Sequence, residues 1–218
     1  MVEVINLGEQ NSIFNQFIME IRNVDVQNDS MRFRKNIERM GEIFAYEVSK
    51  KMNYKSSLIT TPLGQCDINV LDDQPVISTV LRAGLPLHQG FLNYFDKAGN
   101  AFVSAYRMHV PPNDFEVKVE YISSPDLTGK TLILCDPMVA SGQSMVLSYQ
   151  ALLESYGEPA HVHIVSVIAS TEGMQYLKDN VKSNVTLWTG AIDVEMTAQA
   201  YIVPGLGDAG DLAFGVKS

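Results

Sequence analysis

The chain has 218 residues, 46% of them hydrophobic and 19% charged, which is ordinary for a globular protein and ample for one elaborated core. A formal net charge of −9 argues against general binding to nucleic acid or anionic membranes, so any bound anion must be held by local geometry. The longest apolar runs are too short to span a bilayer, no secretory leader is visible, and two cysteines, Cys66 and Cys135, make no disulfide framework; a reducing cytoplasm is expected.

Ile13, Phe17 and Ile21 recur every four residues and predict a first helix. Asp29 and Ser30 form an N-cap pair for a second, in which Phe33, Ile37, Met40, Phe44 and Val48 step by 4, 3, 4 and 4. Arg32, Arg34, Lys35 and Arg39 occupy the other face, read first as a solvated basic surface and second as contact with an anionic effector or a subunit. Residues 58–63 and a turn-like 71–75 follow, then a strand over 76–80. This strand runs into Arg82, Ala83 and Gly84, with Leu87, Phe91, Phe95 and Ala98 as a helical stripe behind them. An arginine beside small residues at a strand end suits a phosphate or diphosphate, in competition with a purely structural role.

Residues 101–107 read as the next strand, ending in Arg107. Phe115, Val117, Val119 and Tyr121 then alternate after Pro111 and Pro112, the pattern of a β-hairpin or flap over about 106–125. The most informative stretch comes next. Residues 131–134 are apolar or β-branched, a buried strand, and Asp136 stands at its carboxyl end. Residues 140–144 make a small-residue turn, after which Met145, Tyr149, Leu152, Leu153 and Tyr156 keep helical spacing until Gly157. Such a loop points backbone N–H groups and a helix N-terminus at its contents, a favourable setting for phosphate. Asp136 beside it is an acceptor for hydroxyls, and the two together suggest a ribose 5-phosphate. Residues 162–168 form a strand, Thr171 caps a short helix ending at Asn180, residues 185–189 form another strand, and a glycine-rich tail covers 200–211. Strands alternating with helices predict an α/β fold with a largely parallel sheet and ligands at its carboxyl edge.

Three motif matches are excluded. Gly129, Lys130 and Thr131 resemble the end of a P-loop, but the earlier glycine would fall on Ser124, and a strand follows where a helix is needed. Gly205, Gly207 and Gly210 fit G-x-G-x-x-G, yet only eight residues remain after Gly210, too few for a dinucleotide unit. Asp208 and Asp211 lack the acid spacing and final glutamate of a calcium loop. His161 and His163 share one strand face, where a structural role is expected, and no His/Cys cluster has zinc spacing. No nucleophile elbow anchors Ser-His-Asp chemistry.

Three stretches combine into a resemblance. Cys135 to Ser144 resembles the phosphoribosyl-diphosphate (PRPP) motif of phosphoribosyltransferases, with Asp136, Pro137 and Met138 in the form typical of the uracil phosphoribosyltransferase family. Leu81 to Leu85 and Tyr201 to Asp211 are similar to segments of the same family, as are Arg32 to Arg34 and Ala45 to Glu47. The resemblance implies a type I phosphoribosyltransferase fold: a Rossmann-like, largely parallel sheet flanked by helices, with a β-hairpin flap and a small hood region. One domain would span 1–218, with an N-terminal helical segment of about 1–55. The implied reaction joins uracil and PRPP to give UMP and diphosphate, a pyrimidine-salvage glycosyl transfer.

Residue roles follow from the same resemblance. Asp136 meets the ribose hydroxyls, and Pro137, Met138 and Val139 lead into a 5-phosphate cradle of Ala140, Ser141, Gly142, Gln143 and Ser144. Arg82 and Arg107 bind PRPP through its diphosphate. Ile202, Gly207, Asp208 and Ala209 line the uracil site, and Asp208 also faces PRPP. Asp136, Arg107 and Asp208 are the candidates for catalysis. Mg²⁺ is expected to arrive on the diphosphate, with no all-protein metal cage. The resemblance further brings forward a homodimer or higher homo-oligomer and a GTP effector, and no nucleic-acid or membrane partner. Gln143 stands where the family usually has a second loop glycine, Val139 and Ser141 replace its common Leu and Thr, and residues 108–114 depart from its polar flap. Two alternatives stand beside this reading: a non-catalytic pyrimidine-nucleotide sensor or RNA-binding regulator of the same fold, which the negative charge disfavours, and the same reaction on another base.

Overall fold

A computed structural model describes residues 2–110 and 114–217, except that the side chains of 106–117 lie outside the description. The chain opens with strand β1 (Glu3–Asn6), one 3-10 turn (Leu7–Glu9) and helices α1 (Ile13–Arg22) and α2 (Ser30–Ser49). The N-terminal segment is therefore not wholly helical. Asp29 caps α2 by accepting from the Arg32 N–H at 3.0 Å, and all five stripe residues of α2 are at most 2% exposed. Each such burial contributes about 1.5–3 kcal/mol, so packing rather than propensity holds this helix.

The basic face of α2 is largely engaged within the molecule. Arg32 pairs with Glu20 at 2.8 Å, Lys35 with Glu38 at 2.9 Å, and Arg39 donates to Asn36 at 3.1 Å. Arg34 donates to the carbonyl oxygen of Ala213 at 2.6 Å, reaching the far end of the chain.

Strands β2 (Tyr54–Thr61) and β3 (Gly64–Leu71) form an antiparallel hairpin separate from the main sheet. Neither face is buried, with Leu58, Leu63 and Ile68 all exposed; residues 65–70 alternate polar and apolar as a strand does, but β2 does not, so the pairing was not assigned from sequence.

The remaining elements alternate as expected: β4 (Val76–Leu81), α3 (Leu85–Leu92), β5 (Gly99–Val110), β6 (Asp114–Ser123), β7 (Thr131–Cys135), β8 (Met138–Val139), α4 (Gln143–Tyr156), β9 (His161–Ser170), α5 (Thr171–Asn180), β10 (Val185–Asp193), β11 (Glu195–Met196), β12 (Ile202–Val203) and α6 (Ala209–Phe214). The main sheet runs β1-β10-β9-β7-β4-β5-β6, with β8 also on β9, and β5–β6 is its antiparallel pair. Strand β5 continues past Arg107 to Val110, and the tip at 111–113 of the expected flap lies outside the described residues.

The central strands read as unbroken apolar runs because both faces are covered. On β7, Leu132 and Leu134 pack with Leu152 of α4 and Leu177 of α5, while Ile133 and Cys135 pack with Phe44 of α2 and Phe91 of α3. The chain leaves β4 through α3 toward β5, and leaves β7 through α4 toward β9, so the neighbouring strands β4 and β7 flank a topological switch point. Ligands bind at the carboxyl ends of such strands. The cap of α5 differs from the expectation by one residue: Ser170, not Thr171, accepts from the Gly173 N–H.

Candidate active site

A cavity of about 910 Å³ opens at that switch point. Its wall includes Arg82 after β4, Asp136 after β7, the loop from Met138 to Gly142, Ser144 of α4, and Gly207, Asp208 and Ala209. Stretches more than a hundred residues apart in sequence thus share one space.

The wall between β7 and α4 is built from backbone. Gly142 takes φ 80°, a left-handed conformation, and α4 begins there with no side chain capping its first turn. Uncapped N–H groups at the start of a 14-residue helix favour an anion by about 0.3–1 kcal/mol from the helix dipole alone, before direct hydrogen bonds are counted. Ser170 braces the loop from behind, donating to Ala140 O at 2.6 Å while accepting from Gly173 N at 2.8 Å. Gln143 is exposed and does not line the cavity, so its larger side chain does not narrow the cradle. Pro137 is likewise absent from the wall.

Asp136 is partly buried at the end of β7, and its Oδ1 accepts from the Met138 N–H at 3.4 Å. The preceding residue is chemically quiet: burial, with the Asp136 charge adding to it, pushes the Cys135 thiol far above its usual range, so no thiolate is offered here. Arg82 donates to Gly215 O at 3.1 Å and stands 3.6 Å from Asp211. Arg107 belongs to β5, and its side chain lies outside the described residues.

The loop before α6 has an unusual backbone. Val203–Pro204 is cis, and Gly205 and Gly207 take φ 57° and 92°. A Cβ on Gly205 would meet Ile202 O at 2.1 Å, so only glycine fits there. Asp208 caps α6 by accepting from Asp211 N at 3.0 Å, which leaves its other oxygen 3.8 Å from Lys217 Nζ. Ile202 is 3% exposed and packs in the core; the neighbouring Tyr201 lines the cavity instead. Successive residues of an extended segment point to opposite sides, and that alternation could have flagged Tyr201. Lys217, also on the wall, is a lone cation near the end of the chain with no pattern to mark it. Among the described residues no group of three or more His, Cys, Asp or Glu could hold a metal ion.

With two cations, two carboxylates, an amide-lined helix start and a glycine-rich loop on one wall, the cavity can bind a phosphorylated, hydroxylated ligand beside a flat polar one. Comparison with known proteins gives the same class. The family model described as uracil phosphoribosyltransferase matches residues 9–216. The uracil phosphoribosyltransferase of Porphyromonas gingivalis is 54% identical over 216 residues, covering 99% of this chain and all of that protein. That of Pyrococcus furiosus is 36% identical over 204 residues, covering 91% and 86%. Among solved structures, the AQ2163 protein of Aquifex aeolicus superposes with a TM-score of 0.86 at 25% identity over 98% of both chains. Orotate phosphoribosyltransferase of Mycobacterium tuberculosis, solved with PRPP, shares the fold at a TM-score of 0.53 and 11% identity, covering 86% of this chain and 94% of that one.

Proposed function

The chain belongs to the uracil phosphoribosyltransferase family, pentosyltransferases that convert uracil and PRPP to UMP and diphosphate, and from that premise we propose how its residues divide the work. The observation that carries the assignment is the convergence of Arg82, Asp136, residues 138–142 with Ser144, and residues 207–209 on one cavity. The start of α4, with the main chain of Ala140, Ser141, Gly142, Gln143 and Ser144, holds the 5-phosphate. Asp136 takes the ribose hydroxyls, and Arg82 and Arg107 take the diphosphate, joined by Lys217.

Uracil presents acceptor, donor and acceptor along O2, N3–H and O4. The main chain of Ile202, Gly207 and Ala209 answers with the complementary groups, and Tyr201 flanks the ring. Cytosine reverses two of these positions. At about 1–3 kcal/mol for each unpaired buried group, two mismatches discriminate on the order of a hundredfold or more. As the C1–O bond to diphosphate breaks, C1 gains oxocarbenium character and N1 of uracil bonds to it, its proton passing to solvent. Cationic side chains stabilise the departing charge, and the two loops align N1 with C1. Asp136 and Asp208 are the wall carboxylates suited to Mg²⁺, which when bound with the diphosphate neutralises leaving-group charge.

We take the working form to be a homodimer or larger homo-oligomer in the cytoplasm. An isolated two-stranded hairpin is marginal in water, and β2–β3 exposes Leu58, Leu63 and Ile68, which a second copy would cover. Both cysteines are free, which suits a reducing compartment. The deciding experiment incubates the chain with PRPP, Mg²⁺ and a panel of bases, with and without GTP, while light scattering reports its mass. UMP formed from uracil alone is expected; turnover of cytosine or a purine at a similar rate would overturn the base-loop assignment. A rate unchanged by GTP would remove it as an effector.

A further inference from the structure

The base loop is held from outside the cavity. Gly205 N donates to Asp193 Oδ2 at 3.0 Å, and Arg22 Nη1 donates both to that same oxygen at 2.8 Å and to Gly205 O at 3.3 Å. Arg22 Nη2 completes the fork on Asp193 Oδ1 at 3.0 Å. One ion pair therefore grips both backbone groups of Gly205. Next to it, Gln27 Nε2 donates to Leu206 O at 3.0 Å and to Ile21 O at 2.9 Å, tying the loop to the end of α1 a second time.

The location gives this grip its meaning. Asp193 is 9% exposed and the Arg22 side chain 20%, so water competes weakly for the fork. Gly205 has positive φ and no room for a side chain, and it stands two residues before the 207–209 backbone assigned to the base. Arg22, Gln27 and Asp193 are all absent from the cavity wall, so any influence on substrate passes through Gly205 and Leu206.

We propose that Arg22 and Asp193 are positioning residues for the base: their ion pair, clamped on Gly205, sets where the 206–209 backbone stands against the ring. Helix α1, far in sequence from both substrate loops, thereby takes part in binding and selecting uracil. The inference rests on the assignment of residues 207–209 to the base. A merely structural brace would lower stability and weaken both substrates alike, which separates the two roles.

The test is steady-state kinetics of the full chain with Arg22→Met, Arg22→Lys and Gln27→Leu, varying uracil and PRPP separately and adding cytosine as a competing base. Arg22→Met is expected to raise the uracil KM by about tenfold or more, a loop misplacement effect, with the PRPP KM within about twofold. Arg22→Lys keeps the charge without the fork and should fall between. Gln27→Leu, which leaves the ion pair intact, should give a smaller change confined to uracil; it and Arg22→Lys decide the matter should Arg22→Met fail to fold. An equal rise in both KM values, or an unchanged uracil KM, overturns the proposal. A wild-type chain that makes no UMP from uracil would instead void the underlying base assignment.

Discussion

Arg82 donates from Nη2 to the carbonyl oxygen of Gly215 at 3.1 Å, so the loop that follows β4 is tied to the end of the chain. Lys217, two residues further on, lines the same cavity with Nζ 3.8 Å from Asp208. The two cations and Asp208 form one side of the site assigned to the diphosphate. A diphosphate bound there competes with Gly215 O and Asp208 for these cations, exchanging internal partners for a more highly charged one.

Lys217→Met should therefore raise the PRPP requirement by about fivefold, the worth of roughly 1 kcal/mol for an exposed ion pair, while the uracil requirement moves less. Lys217→Arg should stay close to the parent. Titration calorimetry with PRPP at two salt concentrations checks this, since a screened contact weakens as salt rises. Equal PRPP affinity in the Met variant would take Lys217 out of the site.

Asp136→Asn should impair PRPP use by an order of magnitude or more and leave the fold intact. The carboxylate lines the cavity at the end of β7, where we assign it the ribose hydroxyls, and a charged acceptor holds hydroxyls about twice as strongly as a neutral amide oxygen does. Circular dichroism establishes folding and initial rates at varied PRPP establish the defect. Unchanged kinetics would remove Asp136 from the ribose.

The legible part of this site was its backbone chemistry. The strand read at 131–134 and the helical stripe from Met145 are local patterns, found as β7 and α4; β7 runs one residue further, and α4 begins at Gln143, inside the turn read at 140–144. The cap of α5 was read one residue late, because Ser170 and Thr171 are both good caps and only the bond to Gly173 tells them apart. The β2–β3 hairpin carries its signal on one strand only, the alternation of residues 65–70, because the apolar residues of both strands are exposed within the chain and β2 is free of that constraint. Contacts that join distant segments, such as Arg22 with Asp193 and Arg34 with Ala213, leave no trace in local spacing. They exist only once the fold has chosen its neighbours.

Ala209→Val should raise the uracil requirement more than the PRPP requirement. Ala209 is 3% exposed, lines the cavity and opens α6, so two added methyl groups have only the base side or the core to enter. Overpacking of this kind typically costs about 1–3 kcal/mol. Separate substrate titrations distinguish the outcomes, and a matched rise for both substrates would show that residues 207–209 do not face the base.

The last expectation concerns acid stability and lies outside the cavity. His163 is 1% exposed; its Nδ1 accepts from the Trp188 indole N–H at 3.1 Å, which places the proton of the neutral ring on Nε2. Burial, helped by the His161 ring 4.6 Å away, pushes the His163 pKa from 6.5 down to about 3. Between those values the unfolded chain binds a proton that the folded chain refuses, so stability is fully present above pH 6.5 and is lost as pH falls toward 3. Glu20, whose carboxyl Arg32 and then Asn36 hold down at about 2 instead of 4.5, adds a second loss only below pH 4.5. The window from pH 6.5 to 4.5 therefore separates the histidines from Glu20, and within it His88 and His161, both also held below 6.5 by burial, act alongside His163. Glutamine at this position can still accept from Trp188 but cannot take a proton. His163→Gln should accordingly lessen the fall of the urea midpoint across that window, leaving the share of His88 and His161, while the steeper loss below pH 4.5 persists. A variant that keeps the parent slope between pH 6.5 and 4.5 would show that His163 is not the group whose protonation opens the fold.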